Sequence, residues 1–153
     1  MDSVNQPGDD DQFTRVAREL WESKGGRLTV VRRILCETIG SQSAAFDAEG
    51  LLVLAQKRDP LISLSSVYRT IKTLEEAGLL NAIDGRDGER LYEMSTHEGQ
   101  STSHIVCHDC GQVVSLDDPC LPFRETPTIA AQGFNAKRIS LRIEASCKEL
   151  SEV

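Results

Sequence analysis

Apolar side chains near the N-terminus recur at the interval of an α-helix. They occupy positions i, i+3, i+4, i+7 and i+8, which lie on one helical face. These side chains are Phe13, Val16, Ala17, Leu20 and Trp21. Gly25 and Gly26 end the pattern, so the sequence predicts an amphipathic first helix. Residues 1–11, which precede it, are acidic and polar and are predicted to be disordered.

Three further helices follow in the pattern. Thr29 is an N-cap candidate for the second helix and Asp47 for the third, because their side-chain oxygens can accept hydrogen bonds from the first turn. Pro60 interrupts the pattern after the third helix, since proline cannot continue a helix. The fourth helix is predicted over about 65–77 and ends at Gly78, where a left-handed cap is expected.

The chain then changes from helical to strand-like patterns. LLNAI and RLYEM flank DGRDGE, which is a hairpin signal. Helices followed by such a hairpin are the order of a winged helix-turn-helix domain, which we predict over residues 12–94. The polar segment 95–103 is predicted to be a hinge. Beyond it, strand-like HIVC, QVVSL and RISLRIEA with a helix near 121–132 predict a small α/β unit over 104–153, which has little core without a staple or a partner.

The fourth predicted helix has one apolar and one polar face. At about 100° per residue, the polar face carries Ser65, Arg69, Lys72 and Glu76, with Tyr68 on its flank. An arginine can hold a guanine edge by two hydrogen bonds, and a tyrosine can meet a thymine methyl or a phosphate. A merely solvated face is the alternative, but the position after a helix and a turn and before a hairpin favours DNA binding.

Basic residues elsewhere are candidates for contacts with phosphates. In the helical region these candidates include Arg33, and in the wing they are Arg86 or, alternatively, Arg90. The predicted DNA-binding residues are Arg27, Arg32, Lys57, Arg58, Ser65, Ser66, Tyr68, Arg69, Lys72 and Arg86.

Composition limits the function classes. Hydrophobic residues make up 39% of the chain and charged residues 27%, which is ordinary for a soluble globular protein. No apolar run is long enough for a membrane helix, and the acidic N-terminus is unlike a signal peptide, so a cytoplasmic protein without membrane contact is predicted. The net charge of −7 argues against a polycationic nucleic-acid coat but permits a local basic face. Gly-rich phosphate loops, HExxH and GxSxG are absent from the sequence, and a non-enzyme is predicted.

The five cysteines are an odd number in a chain without a secretion signal, which argues against a disulfide framework. Cys36 lies on the second predicted helix and is interpreted as a small buried residue. Cys107 and Cys110 form a CxxC turn between strands in HIVCHDCGQVV, where two thiolates can bind one tetrahedral zinc ion. An empty site and thiol redox chemistry are the alternatives.

A third ligand for this site is expected from the end of the last strand. Cys147 follows RISLRIEA, which we expect in the same sheet as the CxxC turn. The sequence does not choose the fourth ligand among Cys120, His108, Glu152 and water.

With these motifs in view, the chain resembles the ferric uptake regulator family of metal-responsive transcription factors. The resemblance rests on RLTVVRRIL, FDAEGL, ISLSSVYRTIKTLEEAGLL, GERLYEM and HIVCHDCGQVV. It implies an α+β fold, with an N-terminal winged helix-turn-helix domain on DNA and a small C-terminal α/β dimerisation domain. It also implies a homodimer on an inverted-repeat operator in double-stranded DNA, and repression of metal-homeostasis or stress genes with metal as corepressor.

The chain departs from the family pattern at its metal sites. A second cysteine pair usually completes a four-cysteine zinc site, but KELSEV after Cys147 contains no cysteine. Family donors in the sensing site are replaced in this chain by Ala45, Thr102 and Ser115, whereas Glu93 and His104 match. Glu93, His97 and His104 are therefore the predicted regulatory site, and their imidazole and carboxylate groups suit Fe²⁺, Mn²⁺ or Zn²⁺.

Two other functions remain open from the sequence. One is a thiol-based redox protein that uses Cys107 and Cys110. The other is an interaction protein, derived from the family, that no longer binds DNA.

Overall fold

The computed structural model describes residues 11–95, 101–116, 120–136 and 139–148. Its contacts divide the chain into two compact units. The first comprises the described residues up to Ile83 together with Arg90–Ser95, and the second comprises Asp84–Glu89 and the described residues from Ser101 onward. The helices in the described ranges are all too short or too polar to span a bilayer.

The first unit begins with four helices, and the second and third start after the predicted caps Thr29 and Asp47. The four helices are α1 (Gln12–Ser23), α2 (Val30–Gly40), α3 (Ala48–Gln56) and α4 (Leu64–Glu76). Thr29 accepts a hydrogen bond from the Arg32 backbone N–H at 3.3 Å, and Asp47 accepts one from the Gly50 N–H at 2.8 Å. Gly78 has a φ of 77°, the left-handed cap predicted after α4.

Asp11 does not belong to a disordered tail, which corrects the prediction for that residue. Its carboxylate accepts a hydrogen bond from the Thr14 backbone N–H at 2.7 Å and caps α1. Aspartate is a favoured N-cap because its side chain satisfies a backbone donor that the first helical turn leaves without a partner. Residues 1–10 of the predicted tail lie outside the described residues.

A hairpin follows the helices. Strands β1 (Leu80–Asp84) and β2 (Arg90–Met94) pair around a short turn at Arg86–Gly88. Phe46, between α2 and α3, adds an antiparallel bridge to Tyr92 on β2 through backbone hydrogen bonds of 2.9 and 2.8 Å. The core of the unit lies between the helices and this hairpin, and its fully buried side chains include Leu35, Ile39, Leu51, Val67, Ile71, Leu74 and Leu80.

The second unit is a three-stranded sheet with one helix. Its elements are β3 (Ser101–Cys107), β4 (Val113–Leu116), α5 (Leu121–Ala131) and β5 (Ile139–Ala145). The strand order is β4-β3-β5, in which β3 is antiparallel to β4 and parallel to β5.

The predicted hinge over 95–103 is too long at both ends. The Ser95 backbone N–H donates to the Leu79 carbonyl at 3.0 Å, and residues 101–103 belong to β3. Ser101 pairs with Ile139 and Ser103 with Leu141, and these partners are distant in sequence. The polar composition of these residues does not indicate a strand, because their strand conformation depends on pairing with residues distant in sequence. Residues 96–100 lie outside the described part of the chain.

Glu37 on α2 binds two arginines of the first unit. Its carboxylate accepts a hydrogen bond from Arg33 on the same helix at 2.8 Å and pairs with Arg58, just after α3, at 2.6 Å. Burial alone would raise the pKa of Glu37, but the hydrogen bonds from Arg33 and Arg58 outweigh that effect and hold the pKa below its ordinary value. The ion pair with Arg58 therefore fixes the end of α3 against α2.

Replacing the charge at this position should make stability less dependent on acid pH. We expect Glu37→Gln to lower the free energy of unfolding near neutral pH by about 1 kcal/mol, as for a partly buried, charge-assisted hydrogen bond. Because the folded-state pKa is lowered, this contribution is present above the ordinary carboxyl pKa of 4.5 and is lost as pH falls through the folded value. Urea unfolding of both proteins from neutral to acid pH measures the difference.

Glu19→Gln is the matched control, since Glu19 is exposed on α1. The wild type and Glu37→Gln should converge in acid, whereas Glu19→Gln should follow the wild type throughout. A gap between the wild type and Glu37→Gln that stays constant in acid would contradict the assignment.

Candidate DNA-binding face and metal centre

The exposed face of α4 carries the side chains predicted to read DNA. Val67, Ile71 and Leu74 are buried in the core, together with Thr70, whose burial the apolar pattern does not predict. Tyr68 keeps 49% of its surface open to solvent. The exposed side chains on this helix are Ser65, Tyr68, Arg69, Lys72 and, in its last turn, Glu76. Thus α4 has the buried back and open polar front of a recognition helix.

The start of α4 is fixed by its own serines. Ser63 accepts a hydrogen bond from the Ser66 backbone N–H at 3.2 Å, and the two hydroxyl oxygens lie 3.0 Å apart. Ser63 therefore caps the helix, and the half-buried Ser66 lies against it. The predicted contact of Ser66 with DNA remains a prediction.

A shallow pocket of about 230 Å³ opens beside α4. Its lining contains three cationic side chains, two threonines, one carboxylate and one indole ring. These residues are Trp21, Arg32, Arg69, Thr70, Lys72, Thr73 and Glu76. The Arg32 guanidinium lies 5.1 Å from the centre of the Trp21 ring and donates to the Arg27 carbonyl at 2.9 Å. These two contacts orient Arg32, a predicted phosphate contact, in a pocket that it shares with Arg69 and Lys72.

Other predicted DNA contacts have partners within the first unit. Arg58 pairs with Glu37, as described above, while Lys57 and Arg27 are exposed. Arg90 at the start of β2 pairs with Glu75 on α4 at 3.0 Å. For Arg58 and Arg90, contact with a phosphate would require these ion pairs to be shared or opened.

The thiols of Cys107, Cys110 and Cys147 meet at one point. Their sulfur atoms all lie within 4.8 Å of one another, and Cys110 and Cys147 are exposed while Cys107 is buried. Within the described ranges, no other His, Cys, Asp or Glu joins the group at that spacing. The donors suit a thiophilic ion, because thiolates are soft ligands and two come from one tight turn.

Backbone N–H groups stabilise the thiolate of Cys107. Hydrogen bonds from the backbone of Cys110 and Asp109 lower the pKa of Cys107 to about 6. The pKa of Cys147 is raised to about 11, because its hydrogen bond to Cys107 and the neighbouring sulfur charges favour the neutral thiol. Negative charge in the group therefore concentrates on the thiol at the end of β3.

Asp109, inside the CxxC turn, holds the segment that carries Cys147. Its carboxylate accepts hydrogen bonds from the Ser146 hydroxyl at 2.5 Å and from the Lys148 backbone N–H at 3.2 Å. These hydrogen bonds keep the pKa of Asp109 below its ordinary value. Sequence reasoning missed this residue, although an acidic side chain between two cysteines is a signal that could have been used.

Arg86, predicted to contact DNA from the wing, has another partner in the second unit. Its guanidinium donates to the carbonyls of His108 and Asp109 at 3.1 and 3.0 Å. Gly111, with a φ of 73°, makes room for it, since a Cβ there would lie 3.2 Å from the guanidinium carbon. The predicted DNA contact of Arg86 thus competes with hydrogen bonds to the CxxC turn.

The remaining cysteines and histidines lie outside the thiol group. Cys36 is fully buried, as predicted, and burial raises its pKa to about 12. Cys120 is exposed at the start of α5, and His108 lies 3.5 Å from Glu144. Both were candidate fourth ligands, and Glu152, another, lies outside the described residues.

The predicted regulatory residues fall in different units. Glu93 is half-buried on β2 of the first unit, and His104 is buried on β3 of the second. His104 stands between Ser115 on β4 and Arg142 on β5 in the sheet register. His97 lies outside the described residues, so the site of Glu93, His97 and His104 stays a prediction.

Comparisons with known proteins identify the family. Residues 23–144 match the ferric uptake regulator family. A ferric uptake regulation protein of Rhizobium leguminosarum bv. viciae is 32% identical over 120 residues, covering 78% of this chain and 83% of the relative. The structure of the Helicobacter pylori ferric uptake regulator, described as having three functional metal-binding sites, superposes with a TM-score of 0.77 at 20% identity and 95% coverage of both chains.

A zinc uptake regulator solved with zinc and DNA superposes with a TM-score of 0.66 at 20% identity, covering 91% of this chain and 93% of the other. These matches do not favour a thioredoxin-like redox protein. The CxxC turn also differs from such a site, because it joins two strands instead of opening a helix. The chain belongs to the ferric uptake regulator family.

Proposed function

We propose that this chain is a homodimeric, sequence-specific DNA-binding transcription regulator that responds to metal and represses metal-homeostasis or stress genes. The observation that carries the proposal is the exposed face of α4 with Ser65, Tyr68, Arg69 and Lys72, on a helix whose opposite face is buried. Family membership and the likeness to a regulator solved on DNA support it.

Within the proposed complex, the residues of α4 divide into two roles. Tyr68 and Arg69 would reach base edges in the major groove, since Arg69 is exposed in the middle of the helix. Lys72 and Arg32, which line the same pocket as Arg69, would bind phosphates and fix the position of the helix. A two-fold dimer would then prefer an inverted-repeat site, because each copy reads one half.

The second unit offers a surface for the second copy. Ile105 on β3 stands opposite Val114 on β4 and Ile143 on β5, so the three apolar side chains form one row across the sheet. Val114 and Ile143 are exposed, as is Leu116 on the same face. A small unit with an open apolar row gains stability by burying it against a copy of itself.

The DNA assignment predicts different losses for two substitutions on α4. Arg69→Ala should weaken binding to an inverted-repeat operator by about 1–3 kcal/mol and should relax sequence preference. Lys72→Ala should weaken specific and random duplexes alike and should reduce the salt dependence of binding. Fluorescence anisotropy on both duplexes over a salt series measures each effect, after selection of an operator from random sequences.

Arg15→Ala, an exposed arginine on α1, is the control and should leave both affinities unchanged. Equal losses for Arg69→Ala on operator and random DNA would show that Arg69 does not read bases. If the wild type selects no sequence at all, the proposal of a specific regulator fails.

The three cysteines are proposed to hold a structural zinc ion. Cys107, Cys110 and Cys147 would ligate it, and the ion would supply a strong link between the CxxC turn and the segment after β5. Asp109 supports the same link by holding Ser146 and Lys148. Because the unit has a small core, ligation would contribute to its folding and hence to dimerisation.

Removal of one thiol should therefore affect metal content, stability and assembly together. Mutating a residue that only orients a metal ligand weakens metal binding roughly tenfold to hundredfold. Cys110→Ser removes a ligand itself, so it should weaken zinc binding by at least that factor. It should also lower the melting temperature and shift dimers towards monomers. Metal analysis after dialysis, thermal unfolding and sedimentation measure the three effects.

Cys120→Ser is the matched control, since Cys120 is exposed and lies outside the thiol group. It should retain zinc and the dimer. A wild type that is metal-free and still a stable dimer would remove the structural role from this site.

For sensing, we propose a weak regulatory site of Glu93, His97 and His104 for Fe²⁺, Mn²⁺ or Zn²⁺. Ligands from both units give a metal different affinities for different domain arrangements, which is the requirement for allosteric control. The strand register around His104 supports weak metal binding. Its neighbours on the flanking strands are Ser115 and the cationic Arg142, and neither has a metal-binding carboxylate or imidazole.

This proposal predicts a shallow metal response of DNA binding. Operator affinity should rise by less than about 1 kcal/mol with saturating Fe²⁺, Mn²⁺ or Zn²⁺, which is below the usual range of allosteric coupling. His104→Ala should abolish that response, whereas His108→Ala, a surface histidine beside Glu144, should preserve it. Anisotropy titrations with each metal test this, and a steep response that survives His104→Ala would place the sensor elsewhere.

A further inference from the structure

This chain brings three of its cysteines together, and its other two lie outside their group. It has five cysteines, of which three form the group after β3 and β5. Cys36 is buried in the core of the first unit, and Cys120 is exposed and outside the group. No cysteine follows Cys147 in the sequence. A bound ion therefore meets three sulfurs, and any fourth ligand is of another kind.

The three thiols are arranged on separate supports that converge. Cys107 and Cys110 are the ends of one tight turn, whose Cys107 carbonyl accepts from the Gly111 backbone N–H at 3.0 Å. Cys147 arrives from the end of β5 and is held by the hydrogen bonds of Asp109 to Ser146 and Lys148. Preorganisation of this kind reduces the entropy lost when an ion gathers its ligands.

From this geometry we propose that Cys107, Cys110 and Cys147 bind trivalent thiophilic ions, such as arsenic in arsenite, through three sulfur bonds. Three thiolates satisfy such an ion completely, because its lone pair fills the remaining direction. Zinc prefers four ligands and would need a water or a harder donor at this site. The inference shares its residues with the proposed zinc site, but it does not depend on DNA binding.

The binding step balances without an oxidant or a reductant. Arsenous acid, As(OH)₃, exchanges each hydroxyl for one cysteine sulfur. Three As–O bonds break and three As–S bonds form. Each departing hydroxide takes up one proton, from a thiol or, where Cys107 reacts as the thiolate, from solvent, so that three waters leave. Arsenic stays trivalent, and the sulfurs stay reduced. Cys110 and Cys147 are exposed, so arsenite can reach the group from solvent.

Native mass spectrometry of the reduced, full-length protein with arsenite tests the proposal. Each bond formed expels one water, so the mass of the adduct reports the number of As–S bonds directly. The wild type and Cys120→Ser should each bind one arsenic with three bonds. Cys147→Ser and Cys110→Ser should form two bonds, and competition with a monothiol should show affinity lower by roughly a hundredfold or more, because one intramolecular contact is lost.

A second measurement separates this proposal from that of structural zinc. Zinc-loaded protein is titrated with arsenite in the presence of a chromogenic zinc chelator, and circular dichroism monitors the fold. Release of one zinc per arsenic bound supports the proposal, and so does three-bond arsenic binding by a protein that never held zinc. A wild-type adduct with fewer than three bonds, or an equal loss in Cys120→Ser, would overturn it, whatever the outcome for zinc.

Discussion

The parallel pairing of β3 with β5 is the contact on which the second unit depends. Its register sets Cys107 beside Ala145, so that Cys147 follows two residues beyond the paired end. The CxxC turn leaves the same end of β3, and this brings three thiols together that are separated by up to forty residues in the chain. Strand pairing of this kind is set by tertiary contacts, and the geometry of the thiol group follows from the sheet.

Much of this organisation is predictable from local sequence signals. Thr29, Asp47 and Gly78 mark helix ends because capping is a property of residues within one turn, and each is found in the predicted role. The predicted hinge is too long because strand pairing, unlike capping, depends on residues distant in sequence. Ser101–Ser103 are polar and have no apolar period, and their pairing with residues distant in sequence, on β5 and for Ser103 also on β4, makes them a strand.

The candidate sites show the same division between local and distant causes. The polar face of α4 follows from helical periodicity, so the exposure of Tyr68 and Arg69 is predictable from the sequence. The partners of Arg86 are not predictable in this way, since its hydrogen bonds join residues more than twenty positions apart. A basic residue in a hairpin turn suggests phosphate binding, but the backbone carbonyls of the tight CxxC turn compete for the same guanidinium.

The two proposed metal sites differ in how far they can tolerate lost ligands. Three thiols within 4.8 Å of one another supply every donor that an ion with three soft ligands needs, and Asp109 binds the residues on either side of the third thiol. A sensing site needs donors from both units at once, so each missing carboxylate or imidazole reduces the free energy that links metal to DNA affinity. His104 has Ser115 and Arg142 as its register neighbours, so at these two positions the flanking strands supply the proposed sensing site with neither a carboxylate nor an imidazole. The proposed binding of soft ions at the thiol group therefore depends on fewer missing donors than the proposed sensing site does.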